Sequence, residues 1–546
     1  MVFLETKNLS FKYLDNSFTL SDINFSLDKG DFCLVVGKTG CGKTTLLKLL
    51  KKEITPSGEL KGLVKIDGFD LKDYDSSKIV YMFQNPSRQI VSDKVYHEIV
   101  FGLEARGLEK GVIETKLAEI VNYLDINDLL EKHTMELSGG EAQLVSLASL
   151  LVLDPEVILL DEASSQLDPL TRKKFLEILK RINQDFGITI ILVEHNLEDV
   201  LEFTDKIIVL DKGKMIYFGL KEEAINFLAS NKQYFAFLPK TLQISKYLDL
   251  GSLLHLKDVK EALKNKYKNE INFSYEAKVF EKEIIKAEDL YYRYSKKEKD
   301  VLEKLSLTVY DNEILGLVGG NGVGKTTLLK NLAGIRSFYS GKIEIENKNI
   351  RKYKGNILYK NLIAYLPQDP LTLFLKRTVG EDLEYYVKSL DLDKALLEEL
   401  LVKFDLKPLL EMSPYDLSGG ELQKAAFTKI LLSKPKILFL DEPTKGMDFS
   451  LREELKEILM DLKAKGATII IATHDLEFIA SVADRVGIMF NGKVLSLTDS
   501  HSFFSNSNFY TTVASLASRD LYDKVITVPE LVEIAKKNGI KNEKDN

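Results

Sequence analysis

Short apolar runs alternate with longer amphipathic stretches along this chain. Phe32-Cys33-Leu34-Val35-Val36 is apolar throughout and ends at a glycine-rich loop, after which residues 45–50 carry apolar side chains at helical spacing. The pattern predicts strand, loop, helix. Residues 157–160 and 188–193 are continuous apolar runs bounded by polar residues, as in strands covered on both faces of a mainly parallel sheet, and the signal returns at 437–440 and 467–472. Residues 142–153 read as a helix capped by the preceding Ser-Gly-Gly. The expected fold class is therefore α/β. The most apolar windows, 147–153 and 157–160, are interrupted by Asp154-Pro155-Glu156, far short of the ~18 apolar residues that cross a bilayer. Residues 1–10 lack the basic-then-apolar order of a signal peptide.

The pattern is also duplicated. Gly37-Lys38-Thr39-Gly40-Cys41-Gly42-Lys43-Thr44-Thr45 recurs as Gly319-Gly320-Asn321-Gly322-Val323-Gly324-Lys325-Thr326-Thr327, an offset of 282. Leu-Ser-Gly-Gly-Glu at 137–141 recurs at 417–421, and Asp161-Glu162 recurs as Asp441-Glu442, both at an offset of 280. Gln84 matches Gln368, His195 matches His474 and Tyr13 matches Tyr294, with order preserved. A near-constant offset of about half the chain means two tandem domains, 1–230 and 284–500, not a short-period solenoid. Residues 231–283 and 501–546 are left as C-terminal appendages, with linker and tail. Within them, 238–245 and 528–535 read as Pro-initiated amphipathic helices. The Lys- and Glu-rich bridge, 255–286, is expected to be a solvated, partly helical connector, and the polar tail, 536–546, to fray.

Composition narrows the function classes. The 546 residues hold 75 Lys and Arg against 82 Asp and Glu, a net charge of −7, which argues against a general nucleic-acid binder. Two cysteines, Cys33 and Cys41, supply neither a disulfide framework nor a cysteine metal cluster, so a reducing compartment is expected.

The glycine loops carry the first chemistry. In G-x-x-x-x-G-K-T between a strand and a helix, glycine lets backbone N–H groups converge on phosphate, and the helix N-terminus adds positive partial charge. The lysine reaches the outer phosphates and the threonine hydroxyl binds Mg²⁺. Residues 37–45 and 319–327 thus become nucleotide-binding candidates, with Lys43, Thr44, Lys325 and Thr326 foremost. A buried strand ending in two acids implies a bound partner, because carboxylates at a core edge are costly. Asp161 and Asp441 are placed to hold Mg²⁺, and Glu162 and Glu442 to act as general bases on the attacking water.

These motifs, in this order, resemble the nucleotide-binding domains of ATP-binding-cassette (ABC) ATPases over both copies. The resemblance implies two P-loop NTPase domains, each with a helical subdomain, arranged head to tail around two ATP molecules. Lys43, Thr44, Gln84, Asp161, Glu162 and His195 would act with Ser418, Gly419 and Gly420. Lys325, Thr326, Gln368, Asp441, Glu442 and His474 would act with Ser138, Gly139 and Gly140. By the same resemblance Gln84 and Gln368 join the magnesium set, Tyr13 and Tyr294 stack on adenine, and His195 and His474 sense the γ-phosphate. Neither copy lacks its lysine or glutamate, so two hydrolytic sites are expected. Departures from the family pattern are Glu141 and Glu421 for Gln, Ala163 for Pro, Met447 for Leu, and Leu144 for a basic residue that would help tie down the signature helix.

Two stretches narrow the resemblance. Phe83-Gln84-Asn85-Pro86-Ser87-Arg88-Gln89-Ile90 with residues 95–104, and Ser165-Gln166-Leu167-Asp168-Pro169 with Pro443-Thr444-Lys445-Gly446-Met447-Asp448, look like ATPases of energy-coupling factor (ECF) importers of vitamins or metals. Leu366-Pro367-Gln368-Asp369-Pro370 is a shorter match. That resemblance implies a transmembrane T component and a substrate-capturing S component as partners, one chain per complex, and a peripheral position on the cytoplasmic face of the membrane. Glu98, Glu381 and Asp382 are candidates for pairing with arginine of the T component. The alternatives are the tandem ATPase of another ABC transporter, or a soluble ribosome-associated ABC factor, whose long basic linker and Asn-His-Leu-Asp loop do not occur here.

Overall fold

A computed structural model describes residues 2–14, 19–84, 89–165, 167–195, 197–353 and 357–541. Asn85-Pro86-Ser87-Arg88 and Gln166 of the ECF-like stretches, and the tail end 542–546, lie outside the described residues. The chain divides into two units, Met1–Pro239 and Lys240–Asn546.

In the first unit the parallel strands run in the order Ile79–Met82, Val157–Asp161, Thr189–Val193, Phe32–Gly37 and Lys206–Asp211, followed by antiparallel Lys214–Leu220. Every residue of Phe32–Gly37, Val157–Asp161 and Thr189–Val193 is buried, which is why those runs are apolar without alternation. Antiparallel strands Val2–Tyr13, Thr19–Asp28, Gly58–Ile66 and Phe69–Asp70 form a second layer. One parallel pairing, Lys214 with Ser21, joins it to the core as a ten-stranded sheet. Helix Lys43–Leu49 is wedged between the layers through Leu46, Leu47 and Leu49. Each such side chain contributes about 1.5–3 kcal/mol by burial.

The second unit repeats the plan. Ile363–Leu366, Ile437–Asp441, Thr468–Ala472, Ile314–Val318, Arg485–Phe490 and Lys493–Asp499 form a six-stranded sheet, and Glu283–Tyr292, Leu302–Tyr310, Ser340–Ile345 and Lys348–Asn349 form a separate four-stranded one. The helical subdomains are Val95–Ala105, Lys110–Leu124 and Gly139–Leu151 in the first copy, and Val379–Leu390, Lys394–Lys403 and Gly419–Leu431 in the second. Each copy thus has the expected architecture, a mainly parallel sheet with a helical subdomain.

The bridge is partly helical, as expected, but its helix is packed into a helical body, and the start of the tail does not fray. Helices Lys240–Tyr247 and Leu256–Lys266 pack with Val513–Ser518 and Val528–Asn538 around a core that includes Ile244, Val259, Leu263, Leu531 and Ile534. Val259 and Leu263 are four apart, so the Lys-rich bridge helix keeps one apolar stripe that this core buries. The start of the tail is pinned: Asn538 Oδ1 accepts the Ile271 N–H at 2.7 Å, and the Lys541 N–H reaches the Lys266 carbonyl at 2.8 Å. Those partners lie hundreds of residues away in sequence, which is why polarity alone predicted fraying.

Candidate functional site

Both glycine loops sit at the carboxyl ends of the parallel strands, where open α/β sheets place their ligands. Gly42 and Gly324 cap helices Lys43–Leu49 and Lys325–Leu332 at φ 105° and 103°, a left-handed geometry that favours glycine. A Cβ on Gly37 would lie 2.3 Å from the Leu210 carbonyl oxygen, and one on Gly319 would lie 2.6 Å from that of Met489. The loop residues Lys38, Thr39, Gly40, Cys41, Gly320, Asn321, Gly322 and Val323 complete the two turns. The lysines fold back onto these turns: Lys43 Nζ donates to the Gly37 and Lys38 carbonyls at 2.9 and 3.0 Å, and Lys325 Nζ to those of Gly319 and Gly320 at 2.8 and 3.1 Å.

Next to each loop the threonine and the strand-end aspartate meet. Thr44 Oγ1 donates to Asp161 Oδ1 and Thr326 Oγ1 to Asp441 Oδ1, both at 3.0 Å. The second carboxylate oxygen is held by a tyrosine: Tyr81 Oη donates to Asp161 Oδ2 at 2.9 Å, and Tyr365 Oη to Asp441 Oδ2 at 3.0 Å. Burial, and then the neighbouring Glu162, push the Asp161 carboxyl above its ordinary range against the bonds from Tyr81 and Thr44; burial likewise raises Asp441. A divalent cation would relieve that cost. One hydroxyl and one carboxylate are hard oxygen donors that suit Mg²⁺, which takes few protein ligands and keeps its remaining positions for phosphate and water. Sequence reasoning missed Tyr81 and Tyr365, although the pair recurs at the same offset of 284 as the glutamines three residues downstream.

The glutamates that follow have unusual backbones. Glu162 and Glu442 adopt φ 51° and 48°, left-handed values that non-glycine residues rarely take and that concentrate at functional sites. Glu162 Oε2 accepts from Gln84 Nε2 at 2.7 Å, and Oε1 shares a 2.6 Å hydrogen bond with His195 Nε2. Glu442 Oε2 accepts from Thr473 Oγ1 at 2.8 Å and from the His474 N–H at 3.3 Å, with His474 Nδ1 2.9 Å away. Lys325 Nζ lies 3.7 Å from Oε1. Burial alone would raise the Glu442 carboxyl, but His474, Lys325 and Thr473 together hold it below its ordinary value. Gln368 is exposed.

The remaining sequence candidates lie as follows. Tyr13 and Tyr294 share hydrogen bonds of 3.1 and 2.9 Å with Thr45 and Thr327, so each ring is tied by its hydroxyl to the helix after the loop. Ser138 and Ser418 cap helices Gly139–Leu151 and Gly419–Leu431, accepting from the Glu141 and Glu421 N–H groups at 3.3 and 3.4 Å. The glutamate side chains return bonds to the Ser138 and Ser418 N–H groups at 2.8 Å, a reciprocal capping box. Lys132 bonded to Glu141, together with the Ser138 contacts, lowers that carboxyl to about 2. Glycines Gly139, Gly140, Gly419 and Gly420 form the first turns; a Cβ on Gly140 would come within 2.5 Å of Thr171 Cγ2. In the second copy Lys424 also pairs with Glu454 at 3.0 Å, an anchor that Leu144 in the first copy does not provide.

Two of the acidic candidates for a partner's arginine are internal. Glu98 is 5% exposed and accepts the Val91 and Ser92 N–H groups at 2.9 and 2.8 Å. Asp382 is fully buried, accepts from Leu375 and Lys376, and pairs with Lys429. A carboxylate one turn into a helix can satisfy the loop before it, and these two are used in that way; of the three, Glu381 is exposed.

The profile of the ABC transporter family matches residues 20–165 and 302–445. The chain is 38% identical over 520 residues to a protein of Bacillus thuringiensis subsp. konkukian named "Putative ABC transporter ATP-binding protein", covering 93% of this chain and 94% of that one. It is 30% identical over 513 residues to "Putative HMP/thiamine import ATP-binding protein YkoD" of Bacillus subtilis, covering 90% and 92%. Among solved structures, the complex of archaeal ribosomal stalk protein aP1 with the archaeal ribosome recycling factor aABCE1 shares the fold, with TM-score 0.58 and 23% identity over 91% of each chain. The chain belongs to the ABC transporter family: it is an ATPase with two ABC cassettes, domains that bind ATP with Mg²⁺.

Proposed function

We propose that this chain is the ATP-hydrolysing subunit of an energy-coupling factor importer, driving uptake of a vitamin, metal ion or other micronutrient through separate membrane subunits. The observation that carries the reading is the complete Lys, Thr, Asp, Glu and His set in both copies, in a chain matched over nine-tenths of its length by a protein named for HMP/thiamine import. No helix of the described residues is long and apolar enough to cross a membrane, so the channel would be supplied by T and S components on whose cytoplasmic face the chain sits.

Within each cassette the residues take distinct parts. The loop N–H groups and Lys43 or Lys325 cradle the phosphates, and Tyr13 or Tyr294 packs against the base. Thr44 with Asp161, and Thr326 with Asp441, would hold Mg²⁺, and Gln84 and Gln368 would complete the two sets. The ion, when bound, neutralises charge on the phosphates. Glu162 and Glu442 orient and deprotonate water, and the paired histidines fix the glutamate side chains. Ser138 and Ser418, with the glycines after them, present helix N-termini suited to an anion.

Affinity purification of the tagged chain from detergent-solubilised native membranes tests the importer reading. Small hydrophobic membrane proteins should accompany it in fixed ratio. Recovery with ribosomes and without membrane subunits would refute it.

A further inference from the structure

The two cassettes restrain their catalytic glutamates by different means, and the difference centres on the residue just before each histidine. In the second copy that residue is Thr473. Its hydroxyl donates to Glu442 and accepts the Asp475 N–H at 3.1 Å, so it clips the His474 loop directly to the glutamate. In the first copy the position is Glu194, 2% exposed at the end of strand Thr189–Val193. An ionised carboxylate has no proton to donate to Glu162. It turns instead to Ser164, whose hydroxyl donates to it, while Arg172 Nε donates to Ser164 Oγ at 3.0 Å and Arg172 NH2 lies 3.6 Å from Glu194 Oε2. The equivalent arginine of the second copy, Arg452, faces elsewhere: NH1 pairs with Asp475 at 2.8 Å and Nε donates to the Met447 carbonyl at 3.2 Å.

The consequence is mechanical. Ser164 lies two residues beyond Glu162, Arg172 belongs to helix Pro169–Phe186, and Glu194 adjoins His195. Buried Ser164 and Glu194, with half-buried Arg172, thus tie the glutamate turn, the following helix and the histidine loop at one point. Opposite charges in so enclosed a place hold geometry firmly, because separating them leaves a buried charge unpaired. We propose that Glu194 is a positioning residue of the first ATP site: through Arg172 and Ser164 it fixes the backbone that presents His195 to Glu162, a part that Thr473 performs in the second site by bonding Glu442 itself. The two hydrolytic sites are therefore not interchangeable. Threonine at 194 is not a neutral exchange although the second copy carries threonine there. The proposal rests on the assignment of Glu162 and His195 to hydrolysis.

The test uses the full chain, otherwise native. Glu194→Gln keeps the size of the side chain and an oxygen for Ser164 but removes the nearer of two carboxylate charges that face Arg172, the other being Asp199, 3.9 Å from NH1. It should take away about nine-tenths of the turnover that Glu162→Gln removes, a loss of about 10-fold at the first site, while KM for ATP stays within about 2-fold, the size expected for a residue that orients a reacting group. Of the six histidines in the chain, only the ring resonances of His195, assigned by their loss in His195→Gln, should shift in the nuclear magnetic resonance spectrum. Unchanged kcat, or an unmoved His195 resonance, overturns the proposal. If Glu194→Gln unfolds or shifts every histidine, Ser164→Ala decides, since it breaks the same cluster with a smaller change; full kcat in a folded Ser164→Ala chain also overturns it. Glu162→Gln is measured in parallel: if that variant turns over at the native rate, the assignment of the site has failed, rather than the role of Glu194.

Discussion

Tyr81 donates its hydroxyl to Asp161 Oδ2 at 2.9 Å across two neighbouring parallel strands, and Tyr365 does the same for Asp441 in the second cassette. Each tyrosine leaves the other carboxylate oxygen to the loop threonine, so a single aspartate is oriented from both sides. Removing an outer partner of this kind typically costs 10–100-fold in metal affinity or activity. Tyr81→Phe and Tyr365→Phe should therefore fold and bind nucleotide yet need about 10-fold more Mg²⁺ for half-maximal hydrolysis, as read by titrating Mg²⁺ at saturating ATP. Unchanged Mg²⁺ dependence would show that the threonine contact alone orients the aspartate.

Glu162 and Glu442 share a left-handed backbone and a histidine contact. As general bases each would be worth ~10²–10⁴ in rate at its own site. Glu162→Gln and Glu442→Gln should each lower turnover while retaining ATP in equilibrium binding, and the double variant should fall by the full ~10²–10⁴. Native turnover in either single variant would mean that only one cassette hydrolyses.

Glu313 is fully buried and paired with Arg485 at 3.2 Å. Burial drives its carboxyl up to about 7, beyond what the arginine offsets. The folded state therefore holds a proton there that the unfolded chain releases near its ordinary value of 4.5. Stability is highest below that value, falls as pH rises through the window, and levels off above about 7, with a total change of ~3 kcal/mol. Calorimetry of the chain against Glu313→Gln from pH 4 to 8 should show this falling component in the native chain and its absence in the variant.

Leu263 is fully buried in the helical body built from 240–267 and 513–540. Leu263→Ala should destabilise that body by about 2–5 kcal/mol through lost burial and a cavity. Limited proteolysis should then cut first near 250–273 and 507–512, with the cassette cores persisting. An unaltered cleavage pattern would mean that the body depends little on this contact.

The parts of the site legible in sequence are those whose chemistry is local. The spacing of Gly37, Gly42, Lys43 and Thr44 constrains one turn and one helix start, and that turn forms as read, in both copies. Ser138 before Gly139-Gly140 likewise reads as a helix cap, and it caps that helix. Tyr81 and Asp161 are 80 residues apart and meet only because their strands pair in register, so Tyr81 reads as one more aromatic in an apolar run. Glu194 was hidden for a different reason: the second copy has Thr473 there, and comparison of the repeats brings out only positions that agree. Glu98 and Asp382 stand as candidates for a partner's arginine in the sequence because a one-dimensional pattern does not reveal which loop folds back over a helix N-terminus.

By itself, then, the sequence determined the α/β class, the duplication, the phosphate loops and the paired acids, because each follows from short-range periodicity or from residues adjacent in the chain. Tertiary structure alone decided which hydroxyls orient the aspartates, how differently the two glutamates are restrained, and that the appendages form one body. Those outcomes depend on strand order and helix packing, where burial and hydrogen-bond satisfaction join residues whose separation in sequence carries no signal.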